Sequence, residues 1–455
     1  MGELFGTDGI RGRAGEGWLT LEAAEVIGLA LAHAMSPTGG GGRALLGHDG
    51  RRSGPGLEAA LAAGLLRGGV ACTSAGLFTT PGLALCGRLF DFDLTVMISA
   101  SHNPACDNGI KIFGPGGSKL SDEAEAAMEA ELLAIGCPAN DRGTEALAAL
   151  VPDPELEERY ASFLGSSVRG LSLRGLTIVV DCSNGGASRV APKVFGRLGA
   201  VVHAVAAEPD GDNINAGCGA TDLSLVTREV QRLHADVGVA LDGDGDRCIL
   251  IDERGGVVHG DGILTVIASA AMAKGAWPDP RVVATVMSNK GLHRALRTAG
   301  VSVITVGVGD RNVVAGLRAE GLPLGGEQSG HVIFGDDLFH IGDGTYTALR
   351  VLGVMHESGL PLSELAAPYQ AFPQILLNVP VHSKPPLREI AGLTEAVAEV
   401  EAELGEDGRV LLRYSGTENL ARVMVEGPDS GRIEAQAERL ADLIRGAIGL
   451  AKFRG

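Results

Sequence analysis

Three stretches of the chain repeat one alternation of apolar runs and polar turns. In the first, Ala44-Leu45-Leu46 runs into the turn Gly47-His48-Asp49-Gly50, and a segment rich in Ala and Leu follows with helical character. A second strand starts at Gly69-Val70-Ala71. A third, Leu94-Thr95-Val96-Met97-Ile98, ends at Ser99-Ala100-Ser101-His102-Asn103-Pro104. The second copy has Thr177-Ile178-Val179-Val180, the turn Asp181-Cys182-Ser183-Asn184-Gly185, a helix through Val194, and strands at Ala200-Val201-Val202 and Val237-Gly238-Val239-Ala240-Leu241. The third has Val282-Val283-Ala284-Thr285-Val286, the turn Ser288-Asn289-Lys290-Gly291, a helix through Leu296, a strand at Val301-Ser302-Val303-Ile304, and a last element approaching Gly325. Strand, turn, helix, strand at this spacing is the grammar of parallel βαβ units.

The tail follows another rhythm. Val379-Pro380-Val381, Arg409 to Arg413 and Ala421 to Glu426 read as strands; Leu387 to Leu404 and Gly431 to Ala447 read as helices. The predicted fold is α/β: three similar α/β domains with mixed, mainly parallel sheets, and a C-terminal α+β domain, around a central cleft. The predicted boundaries are 1–152, 153–250, 251–367 and 368–455, since 455 residues exceed what one core organises. In each α/β copy the third element ends in a polar, glycine-containing loop: Ser99 to Pro104, Asp242 to Arg247, and Gly325 to His331. Three such loops aimed at one cleft would place ligand chemistry where α/β sheets usually carry it.

Composition narrows the partners. The formal charge of -18 argues against nucleic acid, which needs a basic surface, but leaves room for a small anion in a local basic pocket. Seven scattered cysteines without a C-x-x-C pair fit a reduced, cytoplasmic protein. The start carries no basic-then-apolar leader, and Gly6 stands where a myristoylation site needs Ser or Thr. The longest apolar run, around Ile263 to Ala273, is too short to span a bilayer. A small-molecule substrate, with neither nucleic acid nor membrane, and a monomer or homodimer are expected.

Asp242-Gly243-Asp244-Gly245-Asp246-Arg247 puts carboxylates at alternate positions, able to converge on one hard cation. A calcium EF-hand loop would need Gly where Arg247 stands. An aspartyl-phosphate phosphatase would need Thr or Val where Asp246 stands. Magnesium beside a phosphate fits. Arg413-Tyr414-Ser415-Gly416-Thr417-Glu418, with Arg422 beyond it, reads as a phosphate cradle of hydroxyls, backbone N–H groups and guanidinium forks. Glu327 and Ser329, among glycines in Gly325 to His331, suit a polyhydroxylated ligand, and His331 could move protons. Arg11 lies in a glycine-flexed loop near the start, and Lys111 in a loop just after the serine turn.

Together, and in this order from Phe5 to Gly427, these motifs resemble the α-D-phosphohexomutase superfamily. Phe5-Gly6-Thr7-Asp8-Gly9-Ile10-Arg11-Gly12 and Gly326-Glu327-Gln328-Ser329-Gly330-His331 are similar to its branch acting on glucosamine phosphates. The resemblance implies an isomerase that interconverts glucosamine 6-phosphate and glucosamine 1-phosphate, supplying amino-sugar nucleotide and cell-wall precursor synthesis. It implies a phosphoserine at Ser101, one Mg2+ held by Ser101, Asp242, Asp244 and Asp246, and a hexosamine 1,6-bisphosphate intermediate. Glu327 and Ser329 would bind sugar hydroxyls. Arg413, Ser415, Gly416, Thr417 and Arg422 would grip the unreactive phosphate. Arg11, Lys111, Arg247 and His331 would neutralise charge or move protons. Three positions depart from the family pattern: Ala105-Cys106 replaces an aromatic pair, Asn419 a proline, and Asn312 a tyrosine. A phosphomannomutase or phosphoglucomutase with the same machinery, or a non-catalytic phosphosugar-binding protein, stay open as alternatives.

Overall fold

A computed structural model describes residues 4–6, 9–35, 41–138, 150–335, 338, 340–415 and 419–450. The chain divides into two compact units, one of Met1–Met287 with Val303–Ala367 and the other of Ser288–Ser302 with Pro368–Gly455.

The first sheet holds β1 (Phe5–Gly6), β2 (Gly9–Arg13), β3 (Arg43–His48), β4 (Ala71–Leu77), β5 (Leu94–Ile98) and β6 (Asp107–Phe113) in the order β1-β2-β6-β5-β3-β4. Around it stand α1 (Leu21–Met35), α2 (Gly54–Arg67), α3 (Thr80–Leu89), α4 (Asp122–Ile135) and α5 (Glu155–Ser167). β3 runs parallel to both β4 and β5. Every residue of β5 is buried, so the strand is a continuous apolar run, as parallel strands covered on both faces require. The opposite edge is antiparallel: β5 pairs with β6, β6 with β2, and β2 with β1. This corrects the loop reading of Arg11 and Lys111, which lie on β2 and β6. Gly9, Gly12 and Gly109 interrupt the alternation there, and glycine weakens a strand signal that only long-range pairing restores.

Glu58 on α2 is buried, accepts from Ser74 Oγ at 2.6 Å and lies 3.9 Å from His48 Nε2. Burial pushes its carboxyl up to about 7, against the Ser74 hydrogen bond, while burial lowers His48 to about 4, so carboxyl and imidazole are both uncharged in mildly acidic solution. An acid whose folded pKa is raised binds its proton more tightly when folded. Its contribution to stability is therefore present below the unfolded value of about 4.3 and is lost as pH rises through about 7. Glu58→Gln is expected to come close to the parent's thermal midpoint at pH 4 and exceed it at pH 8, where the parent carries a penalty of about 3 kcal/mol. Melting curves at both pH values check this; a variant less stable at pH 8 would show the carboxylate to be compensated.

The second sheet has β7 (Thr177–Asp181), β8 (Val201–Val205), β9 (Val237–Leu241), β10 (Cys248–Asp252) and β11 (Val257–Val258), ordered β11-β10-β9-β7-β8, with α6 (Val190–Arg197) and α7 (Ser224–Leu233). β9 and β10 form an antiparallel hairpin with Leu241 opposite Cys248, which fixes the acidic loop between them. The third sheet has β12 (Arg281–Thr285), β13 (Ser302–Val306), β14 (Leu324–Gly326) and β15 (Val332–Phe334), ordered β13-β12-β14-β15. The helices of this stretch are α8 (Gly260–Ala273), α9 (Lys290–Thr298), α10 (Asp310–Glu320), α11 (Gly344–Ser358) and α12 (Leu362–Ala366). Each of these three sheets thus has parallel strands at its centre and an antiparallel edge that carries one of the polar loops singled out in the sequence.

The second unit holds α9 and an antiparallel sheet, β16 (Gln374–Pro380), β17 (Arg409–Tyr414) and β18 (Leu420–Glu426), in the order β16-β18-β17, with α13 (Leu393–Leu404) and α14 (Ser430–Ile448). Val379, Val423 and Val425 pack with Leu393, Leu440 and Ile444. The helix predicted from Leu387 starts only at Leu393. Leu387–Glu389 is a single 3-10 turn, and Gly392 at φ +74° takes a left-handed conformation that ends the turn before α13 begins. Among the described residues, no helix is long and apolar enough to cross a membrane.

Candidate active site

Three loops of the first unit converge on one buried cluster. β5 delivers Ser101, which is 2 % exposed and left-handed at φ +52°. Its Oγ donates to Asp242 Oδ2 at 2.7 Å and lies 3.3 Å from His102 Nδ1. The β9–β10 hairpin delivers Asp242, Asp244 and Asp246, all buried. β6 carries Lys111 inward, its Nζ 2.7 Å from Asp244 Oδ2 and 3.6 Å from Asp246 Oδ2. Arg247 Nε stands 4.0 Å from both Asp242 Oδ2 and Asp246 Oδ1. From the third loop, His331 Nδ1 comes within 3.6 Å of Asp246 Oδ1. That loop is tied to the start of β10, since Cys248 N donates to Gly330 O at 3.0 Å.

The periphery is looser. Glu327 is half-buried and accepts from Gly309 N at 3.1 Å, and Ser329 is exposed. Arg11 is exposed on β2; burial, with the charges of Arg247 and Arg11, lowers His102 to about 4, so that ring is neutral near pH 7.

The acids cannot all be charged at ease. Burial and the neighbouring charges of Asp246 and Asp244 push Asp242 well above the usual carboxylate range. For Asp246, burial is outweighed by His331 and Lys111, which hold its carboxyl low. His331 is driven up to about 9: burial opposes its charge, and Asp246 more than offsets it. The three aspartates each offer an oxygen within 4.8 Å of the others. Asp244 Oδ1 and Asp246 Oδ1 are buried without a hydrogen-bond partner. Asp246 Oδ1 faces only the longer ion pairs to His331 and Arg247, and Asp244 Oδ1 has none among the described residues; a three-carboxylate pocket with these two oxygens short of hydrogen bonds is what a hard divalent cation would satisfy, so these residues fit a metal.

In the second unit, Arg413 and Arg422 sit directly opposite on β17 and β18, so both guanidinium groups rise from one face of the sheet. Like charges in this register repel, and a shared anion would relieve them. Ser415 follows at the strand's end, its carbonyl accepting from Lys384 Nζ at 2.8 Å. Gly416 and Thr417 lie outside the described residues.

Several residues here have no motif in the sequence. Thr80, opening α3, donates its hydroxyl to Asp244 Oδ2 and its N–H to Asp244 O. Arg51, Asp49 and Asn215 surround the back of the serine loop. The one available signal was the polar turn Gly47 to Gly50 at the end of β3, the position at which such sheets gather ligand groups.

Profiles of the four phosphoglucomutase/phosphomannomutase domains match in order: alpha/beta/alpha domain I over residues 2–136, domain II over 158–256, domain III over 259–372 and the C-terminal domain over 376–443. The chain belongs to this phosphohexomutase family. Among its relatives, the phosphoglucosamine mutase of Rhodococcus opacus is 47% identical over 451 residues, covering 98% of this chain and 99% of the relative. That of Anaeromyxobacter dehalogenans is 46% identical over 457 residues, with 98% and 99% covered. In fold, the chain is similar to a phosphoglucomutase/phosphomannomutase family protein from Burkholderia thailandensis (TM-score 0.76, 24% identity, 98% of this chain and 99% of that one). It is also similar to Aspergillus fumigatus N-acetylphosphoglucosamine mutase, solved with GlcNAc-6P and magnesium (TM-score 0.65, 20% identity, 98% and 96%).

Proposed function

We propose that the chain is a phosphoglucosamine mutase, interconverting glucosamine 6-phosphate and glucosamine 1-phosphate through a phosphoserine and a 1,6-bisphosphate. The observation that carries this reading is the Ser101 hydroxyl 2.7 Å from Asp242 in a buried three-aspartate pocket, in a chain 45–47% identical to phosphoglucosamine mutases along nearly its whole length. The division into domains 1–152, 153–250, 251–367 and 368–455, each supplying one loop, belongs to the same proposal, as do a cytoplasmic location and a monomer or homodimer.

In the forward direction the C1 hydroxyl oxygen of glucosamine 6-phosphate attacks the phosphorus on Ser101. The P–Oγ bond breaks, the hydroxyl's proton passes to a protein base, and Oγ regains a proton. The bisphosphate then reverses its ends, and Oγ gives up its proton and attacks the phosphorus on O6; the P–O6 bond breaks, O6 takes a proton, and glucosamine 1-phosphate leaves with the phosphate back on Ser101. Asp242, Asp244 and Asp246 would hold Mg2+, which when bound supplies positive charge to the transferring group. The chain's own share is positioning and fixed charge. Arg247, Arg11 and Lys111 offset charge building on the phosphoryl oxygens. Lys111, His331 and Arg11 are the groups assigned to proton movement. Glu327 and Ser329 take sugar hydroxyls, while Arg413, Ser415, Gly416, Thr417 and Arg422 take the resting phosphate.

A coupled assay with Mg2+ and trace hexose bisphosphate tests the reading. Glucosamine 6-phosphate is expected to give a kcat/KM at least about tenfold above glucose or mannose 6-phosphate. Preference for either hexose would move the chain to the phosphoglucomutase or phosphomannomutase alternative. A protein that never carries phosphate on Ser101 would be a binding protein instead.

A further inference from the structure

We propose that Arg51 and Asn215 are positioning residues for phosphoryl transfer: together they clamp the carbonyls of the Ser101 loop and hold Ser101 in the conformation that aims Oγ at the acids. The proposal rests on Ser101 being the phosphoryl carrier.

A serine at φ +52° is strained by about 1–3 kcal/mol, and such a conformation persists only where the surroundings over-determine it. Arg51 does much of this. Its side chain is wholly buried, and each of its five N–H donors has an acceptor. Nε donates to Asp49 Oδ2 at 2.8 Å. Nη2 donates to Ser101 O at 2.8 Å and Asn103 O at 2.9 Å. Nη1 donates to Asp107 O at 2.9 Å and to Pro104 O. A lysine could not reach these points at once, since only the planar fork presents donors in fixed directions.

The amide side of the loop is anchored by the same ion pair. Ser99 Oγ donates to Asp49 Oδ2 at 2.7 Å and accepts from Ser101 N at 2.8 Å. Asp49 thus ties the loop's entry while Arg51 ties its exit.

Asn215 extends the clamp from the second sheet's domain. Its Nδ2 donates to two of the same carbonyls, Ser101 O at 2.9 Å and Asn103 O at 3.1 Å. Its Oδ1 accepts from Ser183 Oγ at 2.7 Å, which orients the amide. The acidic loop closes on the same point: a Cβ on Gly243 would lie 2.6 Å from Ser101 O and 2.9 Å from Asn215 Nδ2. One carbonyl, that of Ser101, is where the phosphoryl loop, the acidic loop and the Asn215 segment meet. Loss of a clamp bond there would turn Oγ without touching substrate. A misplacement of about 1 Å is enough to cost about 10²-fold in rate.

The test compares the parent, Asn215→Ala and Arg51→Lys. The parent is expected to gain phosphate on Ser101 from a hexose 1,6-bisphosphate, read by intact mass. Asn215 itself stands at φ +58°, which alanine tolerates poorly, so Asn215→Ala is expected to lose several degrees of thermal midpoint yet stay fully folded at the assay temperature and keep its KM for glucosamine 6-phosphate within about twofold, while kcat and the rate of Ser101 loading fall together by about 10- to 100-fold. Arg51→Lys is expected to lose at least as much. Because Arg51 sits in a core where that change can prevent folding, Asn215→Ala carries the decision. A parent that takes no phosphate on Ser101 overturns the functional reading and the clamp with it. A parent that loads normally beside an Asn215→Ala protein with unchanged kcat overturns the clamp alone. So does a kcat loss matched by unfolding or by a comparable rise in KM.

Discussion

Ser101→Ala protein is expected to fold, to bind phosphosugar and to show no measurable mutase turnover, a loss of about 10³-fold or more, because the group that carries the phosphate is gone. The fold should survive. Oγ makes one strong bond, to Asp242, and the loop's other ties run through its backbone to Arg51, Ser99 and Asn215. A small destabilisation is expected, since alanine tolerates φ +52° poorly and Asp242 Oδ2 loses a donor. The measurements are the coupled assay, intact mass after incubation with a hexose 1,6-bisphosphate, and a melting curve. Substantial isomerisation by the pure variant would remove Ser101 from the chemistry. So would phosphate uptake undiminished in the variant.

The parallel centres of the three sheets were legible because their strands are buried on both faces and so read as unbroken apolar runs. Leu94–Ile98 and Val237–Leu241 have the bounds that the hydrophobic pattern predicts. The edges were not legible. β2 and β6 carry Arg11 and Lys111 on glycine-broken strands whose pairing partners lie about a hundred residues apart, and no local pattern records that distance. The chemistry divided along the same line. Ser101 and the three aspartates stand in short motifs whose residue types state their purpose. Arg51, Asn215 and Thr80 act through hydrogen bonds to loops far away in sequence, and a lone Arg, Asn or Thr in a turn has no reason to stand out until the chain is folded. Lys384 beside Ser415 is the same case in the second unit.

Asp244→Asn carries the second large effect, and it separates electrostatics from architecture. Asp244 Oδ2 accepts from Lys111 Nζ at 2.7 Å and from the Thr80 hydroxyl, and Oδ1 is buried with no partner. The amide is nearly isosteric but removes a negative charge from a crowded cluster in which Asp242 is already held toward its neutral form, and it meets Lys111 and Thr80 with a neutral oxygen in place of a carboxylate. With one anionic ligand fewer, the Mg2+ titration midpoint is expected to rise at least about tenfold and kcat to fall by about 10²- to 10⁴-fold. Calorimetric binding of Mg2+ to the variant gives the first number without reference to turnover. In chelator-treated protein the thermal midpoint should not fall, because relief of repulsion among Asp242, Asp244 and Asp246 offsets the weakened contact with Lys111. Unchanged Mg2+ affinity would remove Asp244 from the metal site. A variant that binds the ion weakly and also unfolds without it would assign the residue to holding α3 and β6 together through Thr80 and Lys111, with the ion a secondary occupant.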